Sequence, residues 1–244
     1  MSSETKHTFR GHLRELRSCL LRSVIAILIA LPISFFLANK VFYILMQPVT
    51  GLELIYTEVT EMLGTYIKVS LYSALVLTLP FIVYQAVMFV RPALTRKEKT
   101  YLYIMLPSVF LLFTVGAVFA YFVLLPPALK FLLTFGSDIA TPMIRVENYI
   151  SVLTKLIFWI GICFEIPLVM FFLTKIGVLK PEWLSKYRRI AYVLAFVLGA
   201  IITPTFDPLN QSLVAVPIIF LYEFGILLSK LARRKKTDIA SSAG

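Results

Sequence analysis

The chain has 244 residues, of which 59% are hydrophobic and 15% charged, and its formal net charge is +11. This composition is too apolar for an ordinary soluble domain of this length. A nucleic-acid-binding protein is also excluded, because the positive charge is confined to short segments between long apolar stretches and to the tail.

Most of the 24 Lys and Arg residues lie in clusters that are separated by pairs of apolar segments. Lys and Arg are retained on the cytoplasmic side of a membrane, so this alternation orients the chain. It predicts that both termini and every second connection lie in the cytoplasm. The clusters occupy residues 6–22, 91–99, 175–189 and 230–236.

Six apolar segments between these clusters predict membrane-spanning helices. The fold class is therefore an all-α integral membrane protein, and residues 1–244 form a single membrane domain. An amphipathic segment (1–22) precedes the six-span core (23–228), and a basic tail (229–244) follows it. In chain order, the predicted spans cover about 23–37, 69–90, 101–125, 149–173, 190–202 and 213–228.

The last two predicted spans are short for a bilayer, at roughly 20 and 24 Å of helix. Either the membrane is thinned beside them or the helices continue beyond these boundaries. The longest connection, 38–68, predicts an ordered cap on the outer face. Prolines within the spans predict kinked helices and a curved, concave scaffold.

Three carboxylates stand out as candidate binding groups. Glu15 and Glu98 each lie among basic residues. They either form weak surface salt bridges or await a cationic ligand, most naturally a guanidinium group. Glu165 lies inside the fourth span, where an acid costs on the order of 2.5 to 3.5 kcal/mol, so it is a functional candidate. Glu223 in the sixth span lies nearer a basic cluster and is expected to pair with one of its residues.

Catalytic constellations are absent from the sequence. The two histidines, His7 and His12, both precede the first span, and no Gly-rich phosphate loop occurs. We therefore predict neither an enzyme nor a cofactor. A six-span secondary transporter that binds a proton or ion at Glu165 remains an alternative, although no inverted repeat is evident.

A series of motifs occurs in order along nearly the whole chain. The motifs are His12-Leu-Arg-Glu-Leu-Arg17, Pro80-Phe-Ile-Val-Tyr-Gln85, Phe89-Val-Arg-Pro-Ala-Leu94 with Glu98, Gly116-Ala-Val-Phe-Ala-Tyr-Phe122, Phe164-Glu-Ile-Pro167 and Gly199-Ala-Ile-Ile-Thr-Pro204 with Asp207 and Gln211. No single motif is decisive, but the ordered set is specific and resembles the TatC family of twin-arginine translocase proteins. One departure is Cys19, where the family usually has an arginine.

The resemblance implies a receptor for signal peptides with paired arginines and a scaffold that exports folded proteins using the proton-motive force. Its implied partners are these signal peptides, single-span TatA/TatB-type proteins, further copies of the chain and the lipid bilayer. The implied location is the plasma membrane, with both termini in the cytoplasm.

The resemblance also assigns residues to roles. Signal-peptide binding falls to Glu15, Arg17, Phe89, Leu94 and Glu98. Glu165 is the acid within the concave face, and partner helices dock at Thr203 and Gln211. Pro48 is a functional proline of the outer cap, and Asp207 is an acidic position of the outer face.

Overall fold

A computed structural model gives the fold of residues 3–49, 54–90, 96–134, 143–203 and 207–241. Side chains are described for 14–48, 54–86, 105–134, 143–203 and 207–233. The described part is almost entirely helical, as expected for apolar segments whose backbone polar groups must be satisfied inside a bilayer. The fold class predicted from the sequence is confirmed.

The helices follow one another with short connections. Two two-residue strands, β1 (Leu54–Ile55) and β2 (Ile144–Arg145), pair in parallel. The helices are α1 (Ser3–Met46), α2 (Glu61–Val90), α3 (Arg96–Phe119), α4 (Leu125–Thr134), α5 (Val146–Cys163), α6 (Ile166–Lys175), α7 (Pro181–Lys186), α8 (Arg188–Ile202) and α9 (Pro208–Ser241), with a π-helical turn (Ala120–Leu124) joining α3 to α4.

Five segments of the described chain are long and apolar enough to cross a membrane. They are Arg14–Met46, Glu61–Ala86, Met105–Thr134, Val146–Lys175 and Pro208–Arg233. The fifth predicted span corresponds to α8, an apolar helix of only 15 residues. Such a helix is about 22 Å long, which is shorter than the hydrocarbon core.

The observed helices extend beyond the apolar windows from which the spans were predicted. The first continues to Met46 and α2 begins at Glu61, so the predicted 38–68 connection is much shorter than expected. The sixth span is not short: α9 has 34 residues and continues into the basic tail. Lys, Arg, Leu and Ala favour helix, so the helix does not stop where the hydrophobicity stops.

The chain divides into two compact units. Unit 1 comprises residues 1–44 and 66–110, and unit 2 comprises residues 45–65 and 111–244. In unit 1, the end of α1 meets the start of α2 where the rings of Phe42 and Tyr66 stack with their centroids 5.0 Å apart. Aromatic stacking of this kind adds to the burial of the two rings.

Unit 2 has a core formed by the π-helical turn with α5, α8 and α9. The core residues are Ala120, Leu124, Leu156, Ile160, Cys163, Ala195, Ile202, Val214, Ile218 and Leu221. Along its length α9 packs against both α6 and α8. Glycines permit these close contacts: a Cβ on Gly199 would lie 2.9 Å from the backbone oxygen of Gln211. Small residues at helix interfaces bring backbones together in membranes in this way.

Candidate functional site

Glu165 lies at a break in the fourth predicted span. The span consists of α5, which ends at Cys163, and α6, which begins at Ile166, so Phe164 and Glu165 form the turn between them. The Glu165 amide donates to the carbonyl of Ile162 at 3.0 Å rather than continuing the α-helical pattern. Pro167 has no N–H to donate, so the helix cannot run through this point undisturbed.

The carboxyl group of Glu165 is buried and unpaired. The residue is 7% exposed, and neither side-chain oxygen has a hydrogen-bond partner within the described residues. The backbone of Phe113 approaches the group without forming a hydrogen bond. Buried polar groups are nearly always satisfied, and leaving one without a partner is costly. Glu165 is therefore a group with unused hydrogen-bonding capacity inside an apolar span.

Two glycine–phenylalanine contacts hold α3 against the break. Phe164, next to Glu165, packs on Gly116 of α3, where a Cβ would lie 2.8 Å from the ring. In the reverse direction, Phe113 of α3 packs on Gly161 of α5, where a Cβ would lie 2.5 Å from the ring. Each helix thus accepts a phenylalanine from the other at a position without a side chain. This reciprocal packing fixes the position of the turn that carries Glu165.

The junction of α8 and α9 contains the three residues that the resemblance assigns to partner docking and to the outer face. Thr203 is buried and donates its hydroxyl to the carbonyl of Gly199 at 2.8 Å. The side-chain amide of Gln211 donates to the carbonyl of Phe196 at 2.8 Å. Asp207 caps α9, because its carboxylate accepts from the amide of Asn210 at 2.8 Å. A capping acid of this kind stabilises the helix N-terminus, so Asp207 has a structural role.

Glu223 forms the pair that its position predicted. Its carboxylate lies 2.9 Å from a terminal nitrogen of Arg188 and accepts from the hydroxyl of Tyr192 at 2.7 Å. Both partners belong to α8, so the pair ties α8 to α9. The expectation that Glu223 pairs with a basic residue is confirmed.

Pro48 lies in a short 3-10 turn (Gln47–Val49) that follows α1, and it is exposed. The same part of unit 2 holds the parallel pair of β1 and β2, which joins two connections that are distant in sequence. The hydroxyl of Tyr149 also donates to the carbonyl of Leu45 at 3.0 Å. The prediction of order in this connection is consistent with these contacts.

Glu61 is the residue that sequence analysis missed. Its side chain is fully buried and accepts from Arg145 at 2.9 Å, from the amide of Thr57 at 3.0 Å and from the amide of Glu147 at 3.2 Å. The hydrogen bond to Glu61 raises the pKa of Arg145 above its ordinary value. The one available signal was that Arg145 is a cation outside the four basic clusters.

Replacing Glu61 with glutamine is expected to loosen the strand pair. The amide loses the charge-assisted bonds to Arg145, and such bonds are about twice as strong as neutral ones. Hydrogen exchange in the peptides that contain β1 and β2 should quicken by about tenfold or more. Glu58→Gln removes the same charge from an exposed neighbour and should leave exchange unchanged. Equal exchange in the two variants would show that Glu61 does not hold the strands.

The residues expected to bind a signal peptide all belong to unit 1. Glu15 and Arg17 lie on α1 and are exposed. The backbone of Phe89 lies in α2 and that of Glu98 in α3, but both side chains fall outside the described part. Leu94 lies wholly outside the described residues. The spatial grouping of these five residues therefore stays a prediction.

Comparison with known proteins covers nearly the whole chain. The family model of the Sec-independent protein translocase protein TatC matches residues 11–217. The TatC protein of Aquifex aeolicus is 46% identical over 234 residues, covering 93% of this chain and 97% of its own. That of Carboxydothermus hydrogenoformans is 37% identical, covering 94% of this chain and 95% of its own.

A solved structure also matches. A crystal structure described as the twin-arginine translocase receptor TatC superposes with a TM-score of 0.81 at 46% identity, covering 91% of this chain and 99% of that one. These matches remove the secondary transporter as an alternative. The chain is a multi-pass membrane protein, and it belongs to the TatC family of Sec-independent protein translocase proteins.

Proposed function

We propose that this chain is the signal-peptide receptor and core scaffold of a Tat translocase, which exports folded proteins using the proton-motive force. The observation that carries the proposal is the buried carboxyl group of Glu165, which has no hydrogen-bond partner among the described residues. Such a group costs stability and contributes nothing to the fold that the structure reveals. It is suited to receive a polar group on an incoming signal peptide or on a partner helix.

Recognition of the signal peptide takes place at the surface that carries Glu15 and Glu98. Both lie among cations, and a carboxylate can pair with a guanidinium group through charge-assisted hydrogen bonds. Each carboxylate can accept two parallel N–H donors from an arginine, whereas a lysine presents a single ammonium group. Arg17, Phe89 and Leu94 complete the surface.

Partner proteins dock along α8 and α9. Both helices present apolar side chains to their surroundings, including Val193 and Ile201 on α8 and Phe220 on α9. Thr203 and Gln211 lie at one end of this surface and mark the docking position of single-span TatA/TatB-type helices. Pro48 contributes to the cap at the opposite face from the basic clusters.

The chain is a non-catalytic single membrane domain of the plasma membrane, and it works as a homo-oligomer. The distribution of its basic clusters supports cytoplasmic termini, because Lys and Arg are retained on the cytoplasmic side. The connection that holds Pro48 and the start of α2 at Glu61 then lie outside the cytoplasm, and the surface of Glu15 and Glu98 lies inside it. This orientation exposes the recognition surface to proteins that have folded before export.

Site-specific photocrosslinking tests the recognition step. A photoreactive residue at position 15 or 98 should crosslink to a signal peptide with paired arginines, and crosslinking should fall by about tenfold or more when both are lysine. A photoreactive residue at Glu58, which is exposed on the other predicted side, serves as the control. Equal crosslinking to the arginine and lysine peptides would contradict the proposal, as would crosslinking from position 58.

A further inference from the structure

An apolar groove with a basic rim lies in unit 2, at the start of α7 and along the last turns of α9. Its volume is about 750 Å³. Pro181 and three α9 side chains, Phe224, Leu227 and Leu231, form its apolar walls. Neither Glu165 nor any residue proposed to bind signal peptides lines it. Its lining residues are different from the individual residues assigned above to signal-peptide binding and to partner docking.

The three α9 side chains of the walls form a continuous stripe along that helix. Phe224, Leu227 and Leu231 recur at spacings of three and four residues, which places them on one helix face. The stripe covers about 10 Å of helix at 1.5 Å per residue. These three side chains are 44%, 57% and 57% exposed. An extended hydrocarbon chain could therefore lie against the stripe over its full length.

The rim of the groove is predominantly cationic. Lys230 and Arg233 of α9 lie on it, with Glu182 of α7 as the acid among its lining residues. Arg233 forms an ion pair with Glu182. Lys230 has no ion pair among the described residues and is exposed. Lys180, one residue before α7, extends over the ring of Trp183. The rim thus retains positive charge after the Glu182 pair is counted.

We propose that this groove binds one anionic phospholipid. The phosphodiester contacts Lys230 and Arg233 at the rim, and one acyl chain lies along Phe224, Leu227 and Leu231. Charge complementarity selects an anionic headgroup, since each basic residue near an anionic membrane surface contributes roughly fivefold in affinity. The apolar stripe selects a lipid over free phosphate, because a bare anion would leave it uncovered. The proposal does not depend on the signal-peptide site.

Fluorescence quenching can measure this binding in a membrane. The two native tryptophans are first removed by Trp159→Phe and Trp183→Phe, and Phe224→Trp then places a reporter in the groove wall. The full chain is reconstituted in phosphatidylcholine vesicles that contain a small fraction of phosphatidylglycerol brominated on its acyl chains. Brominated phosphatidylcholine at the same fraction is the reference. We expect phosphatidylglycerol to quench at roughly a fivefold lower fraction than phosphatidylcholine.

Two matched variants test the role of the rim. Lys230→Gln should bring the two lipids to equal quenching, because it removes the unpaired cation of the rim. Arg189→Gln removes one charge from an exposed position on α8 that does not line the groove. The Arg189→Gln chain should still be quenched at a lower fraction of phosphatidylglycerol than of phosphatidylcholine. As a second readout, native mass spectrometry of the otherwise unmodified chain should show one retained phosphatidylglycerol that Lys230→Gln loses and Arg189→Gln keeps.

Three results would overturn the proposal. Equal quenching by both lipids in the reporter chain would show that the groove does not select an anionic headgroup. Equal effects of Lys230→Gln and Arg189→Gln would show that the rim is not the binding position. A Leu227→Cys chain that lacks Cys19 and Cys163 and forms a disulfide-linked dimer in membranes would assign the groove to a second copy instead.

Discussion

Exchange of Glu165 for glutamine is expected to abolish most protein export while leaving the purified chain at least as stable as the parent. The parent carboxyl group is 7% exposed and has no hydrogen-bond partner among the described residues. Placing an acid at such a position costs on the order of 2.5 to 3.5 kcal/mol, and glutamine reduces that cost. A ligand that forms a charge-assisted bond with Glu165 would lose about half of that bond's strength to glutamine.

Two measurements separate the roles of Glu165. Thermal unfolding in detergent reports stability, and transport of a folded cargo into inverted membrane vesicles reports export. Transport should fall by roughly four- to tenfold, since half of a charge-assisted bond of about 1.5–3 kcal/mol is lost. A stable chain with lost transport would establish that the acid is retained for binding rather than for folding.

Glu223→Gln is the matched control for this experiment. It makes the same chemical change in another span, but Glu223 is bonded to Arg188 and Tyr192. Its loss leaves an arginine without its carboxylate partner, so thermal stability should fall. If Glu165→Gln lowers the unfolding temperature as much as Glu223→Gln does, Glu165 is a structural residue and the binding role is wrong.

The membrane architecture was predictable from the sequence because a bilayer restricts the chain to few solutions. Long apolar segments that span the bilayer must be helical, and the alternating basic clusters determine the direction in which each one crosses. The helix ends were less predictable. Hydrophobicity marks the segment that lies in hydrocarbon, whereas the end of a helix is decided by capping and propensity. Asp207 caps α9 at one end, and helix-forming residues of the tail extend it at the other.

Polar residues with a special role were likewise predictable only in part. Glu165 was identifiable because an acid in an apolar segment is costly wherever the neighbouring helices lie. Glu61 was not, since its partner Arg145 is 84 residues away and only the folded chain brings the two together. An acid at the end of a span is common and carries no signal of its own.

Contacts at glycines also depend on the fold. Gly116 and Gly161 are unremarkable in the sequence, yet each accepts a phenylalanine of the other helix beside Glu165. Gly64 has nothing within 4 Å of the position that a Cβ would occupy. Alanine at Gly116 or Gly161 therefore tests how closely α3 must approach the break between α5 and α6. Alanine at Gly64 serves as the control.

Of the three glycine-to-alanine exchanges, Gly116→Ala is expected to lower the stability of the folded chain most. Its Cβ would lie 2.9 Å from the Cβ of Phe164 and 2.8 Å from the first ring carbon. These atoms are close to the backbone, so rotation of the ring cannot relieve the contact and the turn itself must shift. Overpacking of a buried site costs about 1–3 kcal/mol. Thermal unfolding in detergent should place Gly116→Ala at the upper part of that range.

Gly161→Ala is expected to lower stability less than Gly116→Ala does, and a second substitution should restore part of the lost stability. Its Cβ would meet the outer ring atoms of Phe113, the nearest at 2.5 Å. Shortening that ring by Phe113→Leu makes room, so the double variant should be more stable than the sum of the two single changes predicts. Independent, additive effects would show that the two residues do not pack on each other.

Gly64→Ala completes the series as the matched control. With no atom near its Cβ position, alanine should stabilise α2 by about 0.5–1 kcal/mol, since glycine is a poor helix former. The order of stability should be Gly64→Ala, then the parent, then Gly161→Ala, then Gly116→Ala. Because Phe164 adjoins Glu165, the last variant should also lose transport in proportion to its loss of stability. Normal transport in a destabilised Gly116→Ala chain would mean that the turn need not be held in this position for Glu165 to act.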